Sequence, residues 1–251
     1  MIVSHNELVA AVNRAFLGMR RHCGEADLIA NMVADLQMVG LGGVRHFNNA
    51  STFLNLDSDC AVSINKHTES SIDVSLNNSS VACHLPVVLD FALEKMINNK
   101  SATIILRQCH NRWLAYSELV KLSSKGIACR AQWVNGSSPK RTLYVLNRGH
   151  VAPEVFFSEQ VNEDHGADSH SMIIELSVYD FDIEVSSQGY STHIEGEELN
   201  LAQAESWEKG VFVDDAEWEV LKQTATVFLV ENSERSIQGA GEQQTYNLMA
   251  N

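Results

Sequence analysis

No apolar run in the sequence approaches the roughly 18 residues needed to cross a bilayer as a helix, so no membrane span is expected. The opening stretch MIVSHNEL lacks the basic-then-apolar layout of a secretory leader, and a cytoplasmic protein is expected. Cysteine is sparse: Cys23, Cys60, Cys83, Cys109 and Cys129 are odd in number, scattered and never spaced C-x-x-C. That pattern argues against a disulfide framework or a zinc knuckle and for ordinary reduced thiols. The glycines nowhere form G-x-G-x-x-G between a strand and a helix, which removes the Rossmann dinucleotide fingerprint. Internal repeats and low-complexity tracts are also missing.

Cations are scarce in one part of the chain only. Residues 1–150 hold 15 Lys/Arg and 11 Asp/Glu, whereas residues 151–251 hold 3 and 21. An acidic second part should repel nucleic acid and anionic membranes, so neither is an expected partner. The asymmetry predicts two units, residues 1–148 and an acidic unit over 149–251, whose face is either solvated or a dock for a basic partner protein.

What is present is a chain with 45% hydrophobic residues in readable periodicities. Ser4-His5-Asn6-Glu7 has the form of a capping box, followed by Leu8, Val12, Phe16 and Met19 at helical spacing. A second helix is predicted over Glu25 to Met38, stopped by Gly40, and a short third over Asn48 to Leu54. Strands are predicted at 61–64 and 71–76, with a turn at Asn77-Asn78. A helix from Pro86 to Asn98, a buried strand at 102–106, a helix from Leu114 to Ser124 and a strand at 127–133 give a mixed α/β order. Beyond Gly149 the expected elements are strands at 171–177 and 182–185, a helix from Asp214 and a strand at 226–230. The tail NSERSIQGAGEQQTYNLMAN is polar and glycine-punctuated.

Three stretches resemble the malate/L-lactate dehydrogenase family. Val33-Ala-Asp-Leu-Gln-Met-Val-Gly-Leu-Gly-Gly-Val44 is similar, without a gap, to that family's Ala-Asp-Leu-Arg-Gly-Ile-Asp-Ser-His-Gly-Val motif. PVVLDFALEKMINNKSATIILR, Pro86 to Arg107, resembles its helix and strand leading into Val-Arg-Asn. RQCHNRWLAYSELVKLSSKG, Arg107 to Gly126, resembles the stretch that holds its His-Phe-Gly. The predicted elements and the charge division give an α/β (α+β) fold with a helical N-terminus, a mixed sheet with flanking helices and a second, strand-rich acidic unit, and the resemblance implies that this fold is not Rossmann. The resemblance also implies NAD or NADP chemistry on a small 2-oxo or 2-hydroxy acid, and a homodimer.

The family's chemical residues are altered. Its acid/base histidine falls on Gly42, which cannot transfer a proton, and His46 stands where its carboxylate-holding arginine would fall. Its later histidine falls on Asn111, next to His110, and its Phe-Gly on Arg112-Trp113. A wider resemblance, in the opening helices and in Ser233-Glu-Arg-Ser-Ile-Gln-Gly-Ala-Gly241, is to an uncharacterised proteobacterial family of unknown function, and identifies the chain as a divergent member.

The candidate residues follow from these comparisons. His46 and His110 are candidate proton-transfer groups, and Arg107, Asn111 and Arg112 are candidates for holding a cofactor. Arg45, together with a tail turn of Ser233, Arg235, Ser236, Gly239 and Gly241, is a candidate for binding a carboxylate or other anion. The glycines Gly40, Gly42 and Gly43 follow a helix, so they read as its C-cap and not as a phosphate loop. Glu163-Asp-His-Gly-Ala-Asp-Ser-His170 meets no standard ligand spacing and reads as an acidic loop, so no metal is expected. The preferred function is a diverged small-molecule-binding or accessory protein of dehydrogenase-like ancestry. The alternatives are an NAD(P)-dependent enzyme on a small carboxylic acid and a scaffold docking a basic protein.

Overall fold

Ser4 begins the first helix as the sequence pattern requires. Its hydroxyl accepts from the Glu7 backbone N–H (3.2 Å), and the Glu7 carboxylate accepts from the Ser4 N–H (3.4 Å). In this computed structural model, which describes residues 1–19, 21, 23–56, 62–160 and 170–226, that helix is α1 (His5–Gly18). It packs on α2 (Cys23–Met38) through Leu8, Val12, Ala15 and Phe16, all fully buried. Helix α3 (Gly43–Leu56) follows after four residues.

The sheet is built from β2 (Ser63–His67), β3 (Ser71–Ser80), β4 (Ser101–His110), β5 (Ala128–Val134), β6 (Arg141–Leu146), β7 (Glu154–Ser158), β8 (Met172–Ser177) and β9 (Thr192–Ile194). Its spatial order is β2-β3-β4-β8-β5-β6-β7-β9, with β3 and β4 parallel and every other pair antiparallel. The parallel pair needs a crossover, which α4 (Val81–Asn99) supplies. A two-stranded ribbon joins β1 (Ile2–Val3) to β10 (Val211–Phe212). Helices α5 (Tyr116–Ser124), α6 (Ile183–Ser186), α7 (Gly196–Lys209) and α8 (Asp215–Thr226) complete the described elements. This is a mixed α/β fold with an open sheet and flanking helices. Among the described residues no helix is long and apolar enough to cross a membrane.

The change of charge near Gly149 is not a division of the sheet. Strand β8, from the acidic part, lies between β4 and β5 of the first part, with Ile174 paired to both Ile104 and Ala131. The core is shared accordingly: Ile104, Ala131 and Ile174 are all fully buried in one cluster.

Several element boundaries differ from expectation. Helix α4 starts at Val81, not near Pro86, because the Ser80 hydroxyl caps it by accepting from Ala82 N–H (3.3 Å). Pro86 then lies inside the helix, at the cost of one backbone bond. The turn expected at Asn77-Asn78 is a bulge within β3: both residues have positive φ, and pairing with β4 resumes at Ser79. The strand expected at 182–185 is the short helix α6, because the Asp182 carboxylate accepts from Val185 N–H (3.0 Å) and turns the chain. The strand expected at 226–230 falls beyond the described residues except for Thr226, the last residue of α8.

Candidate functional site

Two chain segments bring the candidate residues together. The first is the α2–α3 corner. Helix α2 ends because Gly40, at φ +80°, lets its N–H reach Gln37 O (3.0 Å) and the Leu41 N–H reach Leu36 O (3.1 Å). This is the helix cap expected from the glycines. Gly43 then opens α3 where the two helices touch, since a Cβ there would stand 2.0 Å from Val33 O. Gln37 fastens the corner, its Oε1 accepting from Val44 N–H (2.9 Å) and its Nε2 donating to Phe212 O (2.7 Å). Helix α3 therefore starts five residues before the expected Asn48, which places Arg45 and His46 in its first turn.

The second segment is the end of β4. Asn111 takes a left-handed conformation (φ 57°, ψ 44°), which asparagine tolerates better than most residues, and turns the strand into a 3-10 turn at Arg112–Ala115. Arg112 ties this turn to β5, donating through Nη1 to Cys109 O (3.3 Å) and through Nη2 to Val134 O (3.2 Å). Trp113 is set edge-on to Trp133, with ring centres 5.2 Å apart, and lies 5.8 Å from the His46 ring and 6.2 Å from Phe157.

Between these segments lies a cleft of about 710 Å³. Arg45, His46, Asn111, Arg112 and Trp113 line one part of it. The opposite part comes from the β5–β6 hairpin and the end of β7, including Trp133, Asn135, Ser138, Phe157 and Glu159. Asn135 shapes the hairpin by accepting from Trp133 Nε1 (3.0 Å) and donating to Pro139 O (2.7 Å). The Ser138 hydroxyl donates to the Glu159 carboxylate. None of this opposite wall was expected from the sequence, although Asn135-Gly136 before a buried run is a hairpin signal that would have found the turn.

The electrostatics of the cleft are uneven. Burial, reinforced by the Arg45 charge, pushes the His46 pKa down to about 4, so its imidazole is neutral at pH 7. Arg45 is exposed and has no hydrogen-bond or ion-pair partner among the described residues. The Asn111 Oδ1 is buried with no hydrogen-bond partner. The cleft thus offers one available cation and a neutral imidazole.

The remaining candidates lie elsewhere. Gly42 lines a second groove of about 650 Å³, formed with α7, β10 and the start of α8, and Arg45 borders both spaces. Arg107 is held by Asp73 through contacts of 2.8–2.9 Å, and the pair keeps the Asp73 carboxyl below its usual range. His110 does not line the cleft: its ring stacks on Phe53 at 3.8 Å and lies 4.8 Å from His170. Burial, with help from His170 and Arg112, lowers the His110 pKa. Ser233, Arg235, Ser236, Gly239 and Gly241, like Asp164, His165 and Asp168 of the acidic loop, lie outside the described residues.

The residues present do not fit a nicotinamide dinucleotide in the manner the dehydrogenase resemblance implies. Of the three residues expected to hold it, Arg107 is engaged by Asp73 and two N–H groups of Arg112 are engaged by backbone carbonyls. The Trp113 indole also stands against Trp133 and Phe157, where the resemblance places a glycine.

The architecture has counterparts of known structure. A dehydrogenase from Sinorhizobium meliloti superposes with a TM-score of 0.67 at 10% identity, over 90% of this chain and 99% of the other. Malate dehydrogenase from Pyrococcus horikoshii OT3 does so with a TM-score of 0.66 at 9% identity, over 93% and 97%. For delta1-piperideine-2-carboxylate reductase from Pseudomonas syringae pvar. tomato the values are 0.62, 12%, 89% and 99%. The fold is thus malate/lactate dehydrogenase-like, and at these identities the likeness is one of fold. No curated protein is significantly similar in sequence to this chain. Residues 3–84, which include the α2–α3 corner, match the family model DUF3726, a protein family of unknown function.

Proposed function

We propose that the protein binds a small carboxylate in the cleft between the α2–α3 corner and the β5–β6 hairpin, and that it does so without hydride transfer. The observation that carries this reading is Arg45, whose guanidinium has no partner among the described residues, beside the neutral imidazole of His46 in the lining of a polar cleft. A guanidinium is a planar, forked donor suited to a carboxylate. A neutral histidine nearby does not compete for the anion as a second cation, and leaves Arg45 as the charge that recognises it. The proton-transfer half of the dehydrogenase chemistry lacks its group, because Gly42 occupies the position that the resemblance assigns to the acid/base histidine.

The test is a thermal-shift and calorimetric survey of 2-oxo, 2-hydroxy and 2-amino acids. A ligand at 100 times its Kd stabilises the fold by about 2.7 kcal/mol, a shift well within measurement. Arg45→Ala should abolish the shift, whereas Arg107→Ala, which removes a surface ion pair with Asp73, should leave it intact. Oxidation of NADH or NADPH that depends on a 2-oxo acid would sink the reading in favour of an enzyme.

A further inference from the structure

The cleft that Arg45 lines also has an aromatic wall with a chemistry of its own. Trp113, Trp133 and Phe157 give it three aromatic rings with neighbouring centres 5.2 and 6.2 Å apart. Glu159 lines the same wall and is oriented by the Ser138 hydroxyl. Each of these features favours the same kind of ligand group. Aromatic rings attract a cation through their quadrupole. A carboxylate accepts from an ammonium in a charge-assisted hydrogen bond. The cleft is therefore bipolar, cationic at Arg45 and cation-seeking at the aromatic wall.

We propose that the ligand of this cleft is the zwitterion of a 2-amino acid, with its carboxylate on Arg45 and its ammonium between Glu159 and the aromatic wall. This proposal rests on the carboxylate-binding reading and narrows it. A 2-oxo acid presents only acceptors to Glu159, so it adds no donor to the one that the Ser138 hydroxyl supplies. A 2-hydroxy acid supplies one O–H and no charge for the rings. An ammonium supplies three N–H donors and the cation together. Two N–H groups of Arg112 are engaged by Cys109 O and Val134 O, which fixes its position against the backbone beneath the site.

The experiment screens the 251-residue chain against mixtures of the standard amino acids by saturation-transfer NMR. Each hit is then titrated calorimetrically beside its 2-oxo, 2-hydroxy and N-acetyl counterparts. An amino acid should bind at least about tenfold more tightly than each counterpart, the scale of one charge-assisted hydrogen bond. Glu159→Gln, at an exposed position, should weaken the amino acid by about tenfold and leave the 2-oxo acid within about twofold. The melting temperature of each variant shows whether it has folded. A 2-oxo, 2-hydroxy or N-acetyl acid that binds as tightly as the amino acid overturns the zwitterion and leaves carboxylate binding standing. So does a Glu159→Gln variant that weakens all four classes equally. Failure of every class to bind overturns both.

Discussion

Arg45 lies across Gly42: its Nη2 comes within 3.1 Å of the point a Cβ on residue 42 would occupy, and its Cζ and Nε within 3.4 Å. Gly42 also has φ of +70°, a backbone that side chains other than glycine rarely adopt. Glycine at this position, where the resemblance assigns a histidine, and the placement of Arg45 are thus mutually compatible, and introducing a histidine disturbs Arg45. Gly42→His is expected to lower stability by about 1–2 kcal/mol through backbone strain and displacement of the guanidinium. It should weaken carboxylate binding and produce no NADH- or NADPH-dependent reduction of 2-oxo acids. Urea melts and cofactor absorbance check the two parts, and measurable reduction would show that a histidine at residue 42 was all that the site lacked.

The neighbouring glycines have separable roles. At Gly43 an added Cβ would stand 2.0 Å from Val33 O and 2.8 Å from Gln37 N, both backbone atoms, so α3 must move off α2 to accept it. Gly43→Ala should cost roughly 3 kcal/mol or more. At Gly40 no atom lies within 4 Å of an added Cβ, and only the positive φ opposes it. Gly40→Ala should cost about 1 kcal/mol. Equal losses in urea melts would contradict the close-packing role of Gly43.

The sequence made legible those features whose causes are local. The Ser4/Glu7 capping box and the Gly40 stop lie within a few residues of what they control, and both are present as read. The start of α3 was misplaced because glycines in a first turn resemble an interruption. Their cause is the approach of Val33 O, a contact between two helices that periodicity cannot show. Strand β6 was unread because all six of its residues are buried, so it lacks the alternation that marks a half-exposed strand. That omission concealed the β5–β6 hairpin and with it the opposite wall of the cleft. Residues 45, 46, 111 and 112 were found by resemblance, and their partners Trp133, Phe157 and Glu159 come from segments where that resemblance has no motif.

His46 gives the cleft a titration that can be followed directly. Its folded pKa is pushed from the ordinary 6.5 down to about 4 by burial, with a further contribution from Arg45. Between these values the unfolded chain binds the proton and the folded chain does not, so stability rises with pH across the window. The stabilisation is complete above pH 6.5 and is lost as the pH falls toward 4, to an extent of at most about 3 kcal/mol from this group. His46→Gln should remove that part of the slope, which is read as the difference between the two proteins' urea melts over the same pH range. Arg45→Ala should raise the pKa by removing the like charge while leaving the burial contribution in place. The ring-proton shifts of His46 in an NMR titration report the value itself. A midpoint near 6.5 in the native protein would mean that the imidazole is solvated and that Arg45 is not held beside it.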